Sequence, residues 1–211
     1  MPEVDVSLIK SFKTADAFRT WLEKNHTKSS GIWLRFFKKA SGKATFVYKH
    51  ALDEALCFGW IDGQSKSEGT DSYLQRFTPR TSRSNWSKIN REHVARLERE
   101  GRMTLAGQRE IERAKADGRW DRAYEPPSRA TLPDEFVVEL EKPKNKKAKA
   151  FLATLPRMNV FAIHYRLNSA KKEETRQARM EKMLAMLNAG EPIAERPAPK
   201  AKTKATAKAK R

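Results

Sequence analysis

The sequence predicts an α+β fold, and three observations carry that prediction. Alternating and short apolar runs fall before about residue 80, helical periodicity dominates from Ser84 onward, and strands precede helices without the regular alternation of a doubly wound sheet. The expected architecture is a small antiparallel sheet with helices in the N-terminal part (residues 1–125), a helical C-terminal part (126–191) and a disordered basic tail (192–211).

The elements follow in order. Val6 to Phe12 alternates as a short strand, and Thr14 is placed to cap a helix with Ala15, Phe18, Trp21 and Leu22 on one face. Gly31 to Lys38, rich in Ile32, Trp33, Leu34, Phe36 and Phe37, reads as a buried strand. After the Ser41-Gly42-Lys43 turn, Tyr48, Leu52, Ala55 and Leu56 recur at helical spacing, so a helix from Tyr48 to about Phe58 should end at Gly59. Trp60 to Ser65 and Asp71 to Phe77 form an antiparallel pair across Glu68-Gly69-Thr70. Ile89, Val94 and Leu97 then mark a helix closed by Gly101, and Thr104 caps another running to Gly118. Pro133 to Leu140, Ala148 to Leu155, Asn159 to Ala170 and Lys172 to Asn188 complete the helices. Lys142 to Lys147 reads as a loop between two of them. From Pro197 to Arg211, Lys alternates with Ala, Thr and Pro and offers no large apolar side chain to bury, which is the composition of a disordered segment.

The 211 residues are 38% hydrophobic and 33% charged, with a mean hydropathy of −0.80, enough apolar material for one ordinary core or two small ones under a wet surface. No apolar run approaches the roughly 18 residues of a membrane span. The start, Met1-Pro2-Glu3-Val4-Asp5, has neither the basic nor the apolar region of an export signal, and the single Cys57 suits a reducing compartment, so a cytoplasmic location is expected. His26, His50, His93 and His164 fall at no metal-ligand spacing, so no metal site is expected, and no phosphate loop, dinucleotide fingerprint or nucleophile elbow implies a cofactor or a reaction. The net charge of +18 is uneven: Arg196, Lys200, Lys202, Lys204, Lys208, Lys210 and Arg211 contribute seven cations with no anion among them.

The segment richest in chemistry is Ala55-Leu56-Cys57-Phe58-Gly59-Trp60-Ile61-Asp62-Gly63, followed by Arg76-Phe77-Thr78-Pro79-Arg80 and Ser84-Asn85-Trp86-Ser87-Lys88. Cys57, between Leu56 and Phe58, reads as a small core hydrophobe rather than a nucleophile. Asp62 has two readings: a turn carboxylate bonding its own backbone, or a partly buried acid beside Trp60 tuned for proton transfer or for holding a cation. Arg76, Arg80 and Arg83, with Lys88, bracket Ser84, Trp86 and Ser87 immediately before a helix. Either the arginines are a solvated face and a serine caps the helix, or cations and a helix N-terminus form an anion site walled by Trp86 or Phe77. On the second reading the ligand-binding set is Trp60, Asp62, Arg76, Arg80, Ser84, Trp86 and Ser87. Arg157, His164, Tyr165 and Arg166, with Lys171, Lys172 and Arg176, read mainly as scaffold, although Thr175 and Arg176 are candidates to reach the central pocket.

The motifs 55–63, Phe77-Thr78-Pro79-Arg80, Ser84 to Asn90 and Gly101-Arg102-Met103-Thr104 resemble the bacterial YdeI/OmpD-associated family. The resemblance continues through Ala148-Lys149-Ala150-Phe151 and Ala170 to Arg176, the bacteriocin-protection stretch, and spans about Ser11 to Glu191. It implies a link to an outer-membrane porin and to protection against antimicrobial peptides or stress through a protein partner, and it supplies no reaction, cofactor or catalytic residue. Three functional readings stand together. The folded part accepts a small anionic ligand, with or without chemistry upon it. The basic tail, through Lys200, Lys202, Lys204, Lys208, Lys210 and Arg211, gives non-specific nucleic-acid affinity by counterion release. The third is the protection role that the resemblance implies.

Overall fold

The computed structural model describes residues 4–43, 46–170 and 172–194. The basic residues of the expected tail, Lys200 to Arg211, lie outside the described residues. The chain divides into two compact units, Met1–Pro126 and Pro127–Arg211. Among the described residues there are eight α-helices and four strands, and the fold is α+β.

In the first unit the strands β1 (Ile9–Lys10), β2 (Ile32–Phe37), β3 (Trp60–Glu68) and β4 (Ser72–Pro79) form one sheet in the order β1-β2-β4-β3. β2, β4 and β3 are antiparallel neighbours, but β1 pairs parallel to β2, so the sheet is mixed. The expected strand from Val6 to Phe12 shrinks to those two residues. Asp5 accepts the Ser7 N–H at 3.0 Å and caps a single 3-10 turn over Val6–Leu8, which consumes the front of the alternating run. The chain then passes through helix α1 (Ala15–Asn25) before entering β2, and a helical crossover of this kind makes strands parallel.

Alternation along β2 sends Ile32, Leu34 and Phe36 into the main core and Trp33 and Arg35 to the other face. Thr14 Oγ1 accepts the Ala17 N–H at 3.2 Å, and α1 buries Phe18 and Leu22 completely against that core. Phe18 lies 5.4 to 6.2 Å, centroid to centroid, from Phe12, Trp21, Phe46 and Phe77. Burying a ring of this size stabilises by roughly 2 to 3 kcal/mol relative to leaving it exposed.

Helix α2 (Tyr48–Cys57) is sunk deeper: every residue from Ala51 to Cys57 is buried, Asp53 and Glu54 included. It stops because Gly59 takes φ +72°, a conformation that disfavours any side chain, and Trp60 begins β3 at once. Helix α3 (Lys88–Arg99) follows β4, with the Ser87 hydroxyl accepting the Asn90 N–H at 3.2 Å. Helix α4 (Leu105–Ala116) starts from Thr104, whose hydroxyl and N–H both donate to the Cys57 carbonyl, at 2.6 and 3.2 Å.

The second unit packs α5 (Asp134–Leu140), α6 (Lys146–Thr154), α7 (Met158–Asn168) and α8 (Glu173–Asn188) around Phe136, Ile163, Leu167, Met183 and Leu187. The expected loop over Lys142 to Lys147 is shorter than its lysines suggest. Pro143–Asn145 is one 3-10 turn, and the buried Asn145 donates to the Glu139 carbonyl at 2.8 Å while accepting from Asn188 at 2.9 Å. Ile193, in the expected tail, is 4% exposed and belongs to this core.

Helix α4 packs closely against the end of α2 at Gly107. A Cβ on Gly107 would stand 2.4 Å from the Cys57 carbonyl oxygen, a backbone atom that cannot swing away. Gly107→Ala should therefore destabilise the protein by about 2 kcal/mol despite the better helix propensity of alanine, read as a lowered urea midpoint at unchanged m-value.

Candidate functional site

The sheet places the two halves of the chemistry-rich segment beside each other. Trp60 pairs with Pro79, Ile61 with Thr78 and Asp62 with Phe77, and the Arg80 N–H donates to the Gly59 carbonyl at 2.9 Å. The register then slips by a bulge between Asp62 and Ser65. The buried Gln75 amide donates to the Gly63 and Gln64 carbonyls at 2.9 and 3.3 Å, satisfying the backbone that the bulge leaves unpaired. Asp62 lies on the helix-covered face, where its Oδ2 accepts the Tyr48 hydroxyl at 2.7 Å. Burial raises the Tyr48 phenol well above its ordinary range, and the neighbouring Asp62 charge adds to the rise, so this hydroxyl stays protonated and donating. Asp62 is held by a tyrosine of α2.

Arg80 is the centre of the second half. It is 5% exposed, and its guanidinium carbon stands 3.5 Å from the centroid of the buried Trp86 ring. Nη1 donates to the Asn85 carbonyl at 3.1 Å, whereas Nε, Nη2 and the Trp86 indole N–H are buried without a hydrogen-bond partner. Burial pushes the guanidinium down to about 10, with Arg119 acting in the same direction and Tyr124, Asp62 and Glu110 pulling it back. It remains charged at neutral pH. Trp86 meets Trp120 edge-on at 4.8 Å, and Trp120 in turn carries Arg91 at 5.1 Å and Lys115 at 5.5 Å. Cations and indoles therefore alternate through this part of the unit. Arg119, 8% exposed, donates to the carbonyls of Thr81 and Ser84 at 3.1 and 2.9 Å and through Nε to both oxygens of Asp117 at 2.8 Å. It fixes the 81–84 turn beneath Arg80.

The remaining sequence candidates are placed as follows. The Trp60 indole is buried and donates to the His26 carbonyl at 3.2 Å, and Ser87 spends its hydroxyl on the α3 cap. Ser84 Oγ accepts the Thr81 N–H at 3.0 Å. Arg76 pairs with Trp33 across the sheet and lies over its ring at 5.6 Å, on the face opposite to Asp62. Arg80 and Trp86 are brought together; Arg76 is on the other side of the sheet.

The sequence reading missed a second ionic cluster. Glu54, 2% exposed, receives Arg19 at 2.9 Å and Arg102 at 2.5 Å, and Asp53 receives Arg96 at 2.6 Å with His93 at 3.4 Å. The available signal was two adjacent acids inside the apolar run Ala51 to Cys57, since a helix buried all round must have partners for them. Cys57 lies one turn on. Burial, reinforced by the Glu54 charge, pushes its thiol up to about 11, beyond the opposing pull of Arg102 and Arg19. The thiol is inert at neutral pH. Among the described residues no group of three or more His, Cys, Asp or Glu side chains is placed to hold a metal ion, and no helix is long and apolar enough to cross a membrane.

Comparison with protein families divides the chain at nearly the same place as the structure. Residues 10–110 match a domain of unknown function (DUF8412), and residues 129–190 match the family described as Bacteriocin-protection, YdeI or OmpD-Associated. The motifs at 55–63, 77–80, 84–90 and 101–104 fall in the first match, and those at 148–151 and 170–176 in the second. No curated protein and no solved structure matches the chain.

Two outcomes follow from the acid cluster. The double variant Arg19→Gln/Arg102→Gln should cost about 3 kcal/mol in urea unfolding, because it leaves the buried Glu54 carboxylate without either of its cations; an effect under about 1 kcal/mol would show the cluster to be energetically idle. Cys57 should react with a disulfide reagent at pH 7.5 at least about 100-fold more slowly in the native protein than in urea.

Proposed function

We propose that this YdeI/OmpD-associated protein binds a small oxyanion, a carboxylate or phosphate, in its N-terminal unit, with Arg80 as the charged anchor. The observation that carries this reading is the Nε and Nη2 edge of Arg80: buried, cationic and without a partner. Arg35 shows what this edge does when a carboxylate is at hand, donating through Nε and Nη2 to the two oxygens of Glu68 at 2.7 and 2.8 Å. Arg119 likewise has Asp117. Arg80 feels Tyr124, Asp62 and Glu110 through their charges, with no hydrogen bond to its Nε or Nη2 among the described residues.

The energetic comparison decides between ring and anion. Stacking on Trp86 is worth about 2 kcal/mol when desolvated, whereas taking an ion out of water costs several kcal/mol. The ring alone does not offset the charge, and an oxyanion spanning Nε and Nη2 supplies two charge-assisted hydrogen bonds. The Trp86 N–H is a third donor in the same neighbourhood. Trp60, Ser84, Ser87 and Asp62 serve this site by fixing the backbone and the helix start around it. The role in bacteriocin or stress protection rests on the family description alone and is proposed for this chain with that support.

Thermal unfolding in inorganic phosphate and in acetate, against chloride at equal ionic strength, tests the proposal. A phosphate concentration about 100-fold above Kd stabilises by roughly 2.7 kcal/mol, a rise of several degrees in Tm. Arg80→Gln should abolish the rise, and Arg80→Lys, which keeps the charge but not the two-donor edge, should leave less than half of it. An equal rise in Arg80→Lys, or none in the wild type with either anion, would overturn the assignment.

A further inference from the structure

A second cleft lies at the other end of β2, away from Arg80. Phe36 and Phe37 at the strand's end, Lys39, Gly42 and Lys43 in the following turn, Phe46 to Tyr48 entering α2, and Tyr73 of β4 line an open cleft of about 570 Å³. That volume lies within the range of small-molecule sites, roughly 300 to 1,000 Å³. Its floor is aromatic and ordered: Phe36 stacks on Tyr73 at 5.4 Å with 22° between the planes, and meets Phe46 at 5.5 Å and the edge of Tyr48 at 6.2 Å. Tyr48 has its hydroxyl committed to Asp62, so what it offers the cleft is ring surface. The rim is cationic. Lys43 Nζ stands 5.3 Å from the Phe37 centroid, and among the described residues neither Lys39 nor Lys43 is in an ion pair. Glu68, the acid at the end of β3, is taken bidentately by Arg35.

An aromatic floor with two ammonium groups at its edge that are in no ion pair among the described residues is complementary to one kind of small molecule. We propose that the cleft between the end of β2 and the start of α2 binds a planar aromatic carboxylate, its ring against Tyr73 and Tyr48, which the buried Phe36 backs, and its charge toward Lys39 and Lys43. Ring stacking supplies the contact area, and the lysines select the anion over its neutral analogue. The site is independent of Arg80.

Isothermal titration calorimetry with 2-naphthoate tests this directly, with 2-naphthylmethanol as the neutral analogue and cyclohexanecarboxylate as the anion without an aromatic ring. Naphthoate should bind with Kd below about 1 mM, and each control roughly fivefold or more weakly, as expected for two exposed charges and for loss of stacking. The double variant Lys39→Gln/Lys43→Gln should bring naphthoate to the level of the alcohol while leaving Tm and the phosphate response unchanged. Equal binding of all three compounds, no heat from naphthoate at about 1 mM, or naphthoate binding untouched in the double variant would each overturn the proposal. Because phosphate reports on Arg80 and naphthoate on the cleft, either site can fail without the other.

Discussion

The first unit depends on one constraint: α2 is a buried helix that carries two adjacent carboxylates. Neither Asp53 nor Glu54 can reach water, so each must be met by a cation from another element. Arg19 comes from α1, Arg96 and His93 from α3, and Arg102 from the connection to α4. The partner arginines are themselves only half-buried, which limits, without removing, the desolvation of their guanidinium groups. Two helices and a loop are thereby aligned on α2. Its C-terminal carbonyl, at Cys57, then receives Thr104 and sits against Gly107, so α4 is set by the same helix. Everything that follows in the chain, from Gly59 through Trp60 to Asp62, starts from a position this packing has already fixed.

Against that background the arginines sort by partner rather than by number. Those around α2 have carboxylates, Arg35 has Glu68 and Arg119 has Asp117. Arg80 alone among these is nearly fully buried over an indole with its two-donor edge unmatched. A strongly basic composition gives no hint of such a difference, since charge counts average over paired and unpaired groups. The distinction emerges only from which atoms the fold brings within 3 Å. It also shows why the clustering of Arg76, Arg80 and Arg83 in sequence overstated their cooperation: strand alternation puts Arg76 over Trp33 on the far face of the sheet.

The sequence made the fold class and most elements legible because their signals are local. Thr14, Ser87 and Thr104 cap the helices that begin beside them, and Gly59, Gly69 and Gly101 take the positive φ that their turns require. The parallel β1 was misread because a two-residue strand carries too little periodicity to show its partner, and its direction is set by the α1 crossover rather than by its own side chains. Lys142 to Lys147 looked like a loop because lysines dominate the composition, yet Asn145 is buried there, donating to the Glu139 carbonyl at the end of α5 and accepting from Asn188 of α8. For the site, residue types were legible and pairings were not. Asp62 was singled out as an acid of interest, and its hydrogen-bond partner is fourteen positions earlier and on a helix, outside the reach of any spacing rule.

That partner has a consequence for how the two candidate sites relate. Tyr48 belongs to the wall of the aromatic cleft, and Asp62 belongs to the strand that pairs with the residues leading into Arg80. Their 2.7 Å hydrogen bond therefore joins the two regions through a protonated phenol and a carboxylate. The carboxylate is also among the charges that raise the Arg80 guanidinium, though it does not touch it. An acid placed in contact with Arg80 would satisfy the guanidinium and remove its capacity for an external anion. Held by Tyr48, Asp62 instead contributes attraction at a distance while leaving the donor edge unpaired. The bulge after Asp62, supported by Gln75, is the backbone feature that permits this placement, because it ends regular pairing of β3 immediately beyond the carboxylate.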